Sequence, residues 1–185
     1  MAHITTGVEY GLHCLLYLVD PPDGAHAPSA RELADLQGVP VEYVAKLFTK
    51  LQKAGLVVAS EGVRGGFRLA RKPASIRVLD VVTAIDGDKT LFECREIRGR
   101  CAVFDGRPPQ WATRGVCSIH AVLVEAEARM RVVLAAHTLA DIARSVAAKA
   151  PADFGNRISK WLVNGAPASR RARKRRRTEG DDHDA

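Results

Sequence analysis

A turn of glycine, valine and proline between two short amphipathic segments constrains the fold of this chain more than any other feature. The first segment, Ala30–Gln37, follows Ser29, a residue type that caps helix N-termini. The turn is Gly38-Val39-Pro40. The second segment, Val41–Ala54, repeats apolar residues every three or four positions and ends before Gly55. Two helices joined by a short glycine-containing turn form a helix-turn-helix.

A hairpin pattern follows the second of these helices. Leu56–Ser60 and Phe67–Ala70 have the composition of strands, and Glu61–Gly66 is the glycine-rich turn between them. Gly65 and Gly66 permit backbone angles and a close approach that other residues resist. Helix, helix and hairpin in this order predict a winged helix-turn-helix, so the expected fold is mainly α with a small β-hairpin as the wing.

Apolar periodicity predicts a further helix on each side of this module. Val8–Val19 is a dense apolar stretch that ends at Asp20-Pro21-Pro22, where proline halts a helix. Ile76–Ile85 is a second apolar helix, with a cap near Ser75 and a stop at Gly87.

The longest apolar stripe lies on a helix from Ser118 to about Ala136. Because a winged helix already has a core, we expect this stripe to pack on a partner chain. Thr138 and Asp141 form a capping pair for a short helix, Leu139–Ala148. Beyond Pro151 the chain is mostly linker. The stripe residues are Ile119, Val122, Leu123, Ala126, Met130, Val133 and Leu134, and the linker has one apolar patch, Ile158–Val163.

These patterns divide the chain into four parts. Residues 1–87 form the winged helix-turn-helix, and 88–117 form a loop that carries cysteines. Residues 118–148 hold the dimerisation helix and the short helix after it. Residues 149–185 are a C-terminal extension with a basic disordered tail, in which Arg170–Arg177 carries seven positive charges.

The composition limits the class of protein. The 185 residues are 46% hydrophobic, which allows one globular domain with extensions. The chain has no run of about 18 apolar residues, so no transmembrane helix is expected. Met1–Val8 lacks the features of a signal peptide. We expect a cytoplasmic protein with reduced cysteines. No glycine-rich phosphate loop, carboxylate pair or nucleophile–base pair is apparent, so an enzyme is not expected.

A recognition helix and a wing predict contact with double-stranded DNA. The helix beginning at Val41 fits the major groove, and the wing tip reaches the adjacent minor groove. A solvated helix face and a protein-interaction module are the alternatives. The candidate DNA-binding residues are Glu42, Tyr43, Lys46, Thr49, Lys50, Arg64 and Gly65.

Three cysteines and a histidine follow the DNA-binding module. Cys94, Cys101, Cys117 and His120 are soft or borderline ligands, suited to an iron–sulfur cluster or to zinc. Unliganded thiols are the third possibility. Cys14 lies among leucines and is expected in the core.

The order of motifs resembles the IscR/NsrR-type family of winged-helix iron–sulfur regulators. The resemblance covers about residues 1–148 and implies a homodimeric transcription factor, expected to be a repressor, that binds a roughly palindromic operator. It also implies that the cluster senses redox state, nitric oxide or iron and iron–sulfur status, and that the state of the cluster sets the affinity for the operator. The motifs are GVEYGLHCLLYL, SARELADLQGVPVEYVAKLFTKLQKAGLV, EGVRGGFRLAR, IRVLDVVTAIDG and HTLADI.

The resemblance implies two alternative ligand sets for the cluster. In the RsrR-type redox branch, a 2Fe–2S cluster takes two cysteines from one chain and a glutamate and a histidine from helix 1 of the other. Carried over, these are Cys101 and Cys117 with Glu9 and His13, which is the preferred set. The IscR-type set is Cys94, Cys101, Cys117 and His120, and a 4Fe–4S cluster is the alternative cluster type.

Overall fold

The computed structural model describes residues 4–21, 26–60 and 65–164. Its elements follow the predicted order, and the mainly helical fold with one two-stranded antiparallel hairpin is confirmed. The helices are α1 Thr6–Leu16, α2 Ala30–Gln37, α3 Val41–Lys53, α4 Val78–Asp86, α5 Gln110–Thr113, α6 Ser118–Ala136, α7 Leu139–Ala147 and α8 Phe154–Asn164, and the strands are β1 Val57–Ala59 and β2 Phe67–Leu69.

Local hydrogen bonds fix the ends of the helix-turn-helix. Ser29 accepts from the Glu32 amide at 3.3 Å, and the Glu32 carboxylate accepts from the Ser29 amide at 2.7 Å. This reciprocal cap satisfies donors that the first turn of α2 leaves free. Gly38 ends α2 with φ 71°, and Gly55 follows α3 with φ 66°. Both angles are left-handed, which glycine adopts without strain.

One apolar core holds α1 to α4 and the hairpin together. Cys14 belongs to this core as predicted, and its burial raises the pKa of its thiol to about 12. Each large side chain buried here contributes roughly 1.5–3 kcal/mol to stability. The fully buried members include Leu15, Leu33, Val44, Phe48, Leu51, Leu56, Ile76, Val81 and Leu139.

The hairpin is seated on the chain that leads into α2. β1 pairs with β2 so that Val58 lies opposite Arg68. The Phe67 amide donates to the Pro28 carbonyl at 2.9 Å. A Cβ at Gly66 would lie 2.0 Å from the Ala27 carbonyl oxygen. The predicted close approach is therefore confirmed at Gly66.

The start of α4 differs from the prediction. The helix begins at Val78, whereas Ser75 lies in a short 3₁₀ turn before it. The reason is a backbone pairing: the Leu139 amide donates to the Ile76 carbonyl at 2.8 Å, and the Val78 amide donates to the His137 carbonyl at 2.9 Å. Residues 76 and 77 are extended because they pair with the segment between α6 and α7, so they do not form the first turn of the predicted helix.

The C-terminal segment also differs from the expected linker, because Phe154–Asn164 is a helix. Phe154, Ile158, Trp161 and Leu162 are spaced so that they share one face, and Leu162 is buried. The helix lies within the predicted C-terminal extension. The basic run Arg170–Arg177 lies outside the described residues.

Helix α6 matches its predicted bounds but has no buried residue. It packs against α4, and one side of it, with Leu123, Met130 and Leu134, is half-buried. On other sides Ile119 and Val122 are 70% and 65% exposed. Within the described part of the chain, no helix is long and apolar enough to cross a bilayer.

Candidate DNA interface and cysteine loop

Helix α3 presents one polar side to solvent. Glu42, Lys46 and Thr49 are exposed there, as is Lys53. Opposite them lie the buried side chains of Val44, Leu47, Phe48 and Leu51. Carboxylate, ammonium and hydroxyl groups on a protruding helix are suited to base edges and phosphates in a major groove.

Two other predicted DNA contacts lie on the flank of α3 instead. The ring of Tyr43 packs edge-on against Tyr10 of α1, with ring centres 5.8 Å apart. The ammonium of Lys50 donates to the carbonyl of Ile85 in α4. The structure therefore places Tyr43 and Lys50 in contacts within the chain, on the side of α3 that faces α1 and α4.

The wing is described in part. Arg64 lies outside the described residues, and Gly65 is half-buried at the return of the hairpin. Arg68 is exposed on β2 between the half-buried Phe67 and Leu69. Sequence reasoning missed Arg68, although the alternation of side chains along a strand places it on the outer face.

Arg98 joins the two arms of the cysteine loop. Its guanidinium donates to both oxygens of Glu96, at 2.6 and 2.8 Å. It also donates to the carbonyls of Thr113 and Gly115, at 3.2 and 3.0 Å. One side chain thus connects the chain after Cys94 with the chain before Cys117. Sequence reasoning missed it because no periodicity marks a contact across 15 residues of loop.

The pKa values of Arg98 and Glu96 are both shifted by neighbouring groups. The pKa of Arg98 is raised, chiefly by its hydrogen bond to Glu96 and further by the charges of Cys117 and Cys94. The pKa of Glu96 is lowered, chiefly by its hydrogen bond to Arg98, with a smaller contribution from His120. The charges of Cys94, Cys117 and His120 therefore act on the Arg98–Glu96 pair.

Cys117 and His120 occupy the first turn of α6. Cys117 is the N-cap residue and is half-buried, whereas Cys94 and Cys101 are exposed. The Nδ1 atom of His120 is buried without a hydrogen-bond partner in the described structure, and its ring lies 6.0 Å from that of Phe92. A buried nitrogen without a partner costs roughly 1–3 kcal/mol, so this atom is suited to a ligand.

The residues of one chain fit part of an iron–sulfur site. Thiolates with an imidazole or carboxylate are suitable ligands for iron. Within the described residues, however, no three or more histidine, cysteine or acidic side chains are gathered closely enough to hold a metal ion. One chain therefore does not assemble the set Cys94, Cys101, Cys117 and His120.

The predicted ligands of the first helix are accessible. Glu9 and His13 are exposed, four residues apart on α1, and neither has an ion pair or hydrogen bond within the described residues. Glu9 borders an apolar groove of about 380 Å³ between α1, α4 and α6, which Leu12, Val82 and Leu134 also line. A carboxylate beside apolar surface gains from a cationic partner.

A helix-turn-helix with a hairpin wing, followed by a long helix with exposed apolar residues, defines a winged-helix transcriptional regulator. Residues 4–145 match the family model described as Rrf2, iron-dependent transcriptional regulator. Protein rrf2 of Nitratidesulfovibrio vulgaris is 34% identical over 142 residues, which are 76% of this chain and 87% of that protein. The chain therefore belongs to the Rrf2 family.

Solved structures have the same fold. CymR (YrzC), described as the global cysteine regulator of B. subtilis, matches with a TM-score of 0.61 and 22% identity, over 78% of this chain and 98% of that chain. T. potens IscR matches with a TM-score of 0.60 and 24% identity, over 82% and 93%. The family resemblance inferred from the sequence is confirmed, and so is the expectation of a regulator rather than an enzyme.

Proposed function

We propose that this Rrf2-family regulator is a homodimeric, cytoplasmic repressor that binds a roughly palindromic operator and holds an iron–sulfur cluster, with 2Fe–2S preferred over 4Fe–4S. The observation that carries the proposal is the Arg98 bridge, which joins the chain after Cys94 to the chain before Cys117 through hydrogen bonds to Glu96, Thr113 and Gly115. A guanidinium there offsets the negative charge that two thiolates bring to a cluster.

The ligand set that we favour combines Cys94 and Cys117 of one subunit with Glu9 and His13 of the other. The sequence alone favoured Cys101 with Cys117. Arg98 favours Cys94, because its hydrogen bonds to Glu96 and Gly115 connect a position two residues after Cys94 with a position two residues before Cys117. Cys101 and His120 remain the alternative ligands. When bound, such a cluster supplies one-electron redox chemistry at its irons.

The second subunit is expected along α6. Ile119, Val122 and Val133 are each more than half exposed, and a stripe of this kind is suited to pairing with a second copy of the helix. Two-fold pairing presents two α3 helices to DNA, which supports the palindromic operator. In this proposal residues 1–87 read DNA, 88–117 hold the sensor and 118–148 dimerise.

The chain's own residues have separate tasks in this proposal. Glu42, Lys46 and Thr49 face the operator from α3, while Arg64 and Gly65 bring the wing to the adjacent groove. Arg98 orients the two thiols of the loop. Glu9 and His13 extend from α1 and would bind the cluster of the other subunit, so the position of α1 depends on the state of that cluster. Because α1 packs on α3 through Tyr10 and Tyr43, α1 can set the position of the recognition helix.

A thiol-based regulator without a cluster is the second candidate. Its support is the exposure of Cys94 and Cys101, whose thiols are accessible to oxidants. A similar fold in a regulator described as a cysteine regulator is compatible with this reading.

Anaerobic purification tests the proposal. We expect a coloured protein with visible absorption and equal amounts of iron and acid-labile sulfide, about two of each per cluster for 2Fe–2S. A colourless, iron-free protein that still binds a DNA duplex selected from a random library would exclude the cluster and favour the thiol-based alternative.

A further inference from the structure

The last turn of α4 is a junction of three contacts. The Lys50 ammonium of α3 donates to the Ile85 carbonyl. The amide and hydroxyl of Thr5, the N-cap residue of α1, donate to the Asp86 carboxylate at 2.8 and 2.6 Å. Asp88, two residues on, accepts from Arg131 of α6 at 2.7 Å. Three residues within a four-residue segment, Ile85, Asp86 and Asp88, thus touch the recognition helix, the first helix and the dimerisation helix.

The electrostatics of helix ends favour these contacts. The last carbonyls of a helix lack partners within the helix and carry partial negative charge, so the Lys50 ammonium is well placed at the end of α4. The first amides of α1 carry partial positive charge, so the carboxylate of Asp86 is equally well placed beside Thr5. The end of α4 therefore contacts the C-terminal half of α3 through Lys50 and the N-terminus of α1 through Thr5.

We propose that Lys50 is a positioning residue, which fixes the recognition helix to the end of α4, and not an operator contact. Its neighbour on the same side of α3 is Tyr43, which packs on Tyr10 of α1. Together these two residues fasten α3 along the edge that faces α1 and α4. If the proposed function holds, this edge also transmits a movement of α1 at Glu9 to the DNA-reading side chains.

Lys50→Met and Lys46→Met form a matched pair for the test. Both remove one positive charge from α3, but only Lys50 touches α4. Hydrogen–deuterium exchange by mass spectrometry would follow a peptide that includes residues 83–89. The salt dependence of binding would be measured on a duplex that the wild-type protein selects from a random-sequence library.

We expect Lys50→Met to speed exchange at residues 83–89 by roughly two- to fivefold, as for loss of one solvent-exposed charged contact. Its salt slope should equal that of the wild type. Lys50→Arg should restore slow exchange because it keeps a cationic donor. Lys46→Met should leave exchange unchanged, which separates loss of charge from loss of the contact.

Two results would overturn the proposal. One is a salt slope for Lys50→Met that is lower by about 0.9 for each subunit, the value for one lost phosphate contact. The other is unchanged exchange at residues 83–89. Failure of the proposed function has a different signature: the wild-type operator affinity would not differ between oxidised and reduced protein, while the exchange and salt results for Lys50 would stand.

Discussion

Arg98 and Glu96 form a two-point ion pair, with nitrogen–oxygen distances of 2.6 and 2.8 Å, inside the loop that carries the cysteines. The same guanidinium reaches Thr113 and Gly115. The pair therefore organises a loop that has little regular secondary structure of its own. The geometry needs a planar fork of donors, which arginine has and lysine lacks.

Replacing Arg98 should loosen the loop. In Arg98→Met we expect faster amide exchange around residues 96 and 113–116, and less iron retained per subunit after anaerobic reconstitution. Arg98→Lys should restore only part of the slow amide exchange and only part of the iron content. The reason is that an ammonium cannot contact two carboxylate oxygens and two carbonyls in the same geometry. Exchange and iron content equal to the wild type in Arg98→Met would show that the loop does not depend on this side chain.

The two exposed cysteines of the loop should behave differently. Cys94→Ser should lose the visible spectrum, since Arg98 links the chain beside Cys94 to the chain beside Cys117. Cys101→Ser should keep its spectrum. Both variants replace an exposed thiol with a hydroxyl, so each is the control for the other. A spectrum lost in Cys101→Ser and kept in Cys94→Ser would instead support the set that the sequence alone favoured.

Local signals allowed much of the fold to be predicted. Helix ends are marked by residue types and contacts within a few positions, and the structure has a helix end at each of these marks. They are Ser29 with Glu32, Gly55, and Thr138 with Asp141. The start of α4 was predicted wrongly because its first residues pair with His137 and Leu139, some 60 positions away. No local pattern reports such a pairing.

The distinction between local and long-range contacts also explains which residues of the candidate DNA interface could be predicted. The buried and polar sides of α3 follow from a period of 3.6 residues, so Glu42, Lys46 and Thr49 could be found by pattern. Tyr43 and Lys50 lie at the boundary between the two sides. What they touch depends on how α1 and α4 are placed, and the sequence pattern of α3 has no information on that.

The exposed apolar residues of α6 should hold the dimer. Val122→Glu places a charge on a surface that is 65% exposed in one chain, and we expect a monomer by size exclusion with light scattering. Its helical circular dichroism should be unchanged, because the winged helix has a separate core. Val58→Glu is the control: Val58 is 48% exposed on β1, away from α6, and this variant should stay dimeric. A dimeric Val122→Glu would argue against pairing through this part of α6.

Cys14 should be the slowest thiol to react. Burial raises its pKa from 9.0 to about 12, and the thiolate is the reactive form. At pH 8 in cluster-free protein, iodoacetamide should modify Cys94 and Cys101 first and Cys14 only after unfolding. The raised pKa stabilises the fold fully below pH 9, and this contribution is lost as pH rises from 9 towards 12. Peptide mass mapping over time measures the order, and early labelling of Cys14 would contradict it.

Gly66 should not tolerate a side chain. In Gly66→Ala the added carbon would lie 2.0 Å from the Ala27 carbonyl oxygen, so the hairpin must move away from the chain that leads into α2. We expect the free energy of unfolding to fall by roughly 1–3 kcal/mol, the usual cost of overpacking. Gly155→Ala is the matched control, because nothing lies within 4 Å of the added carbon and alanine favours a helix by about 0.5–1 kcal/mol. Urea unfolding of both variants measures the difference, and equal stability would show that the wing can shift without cost.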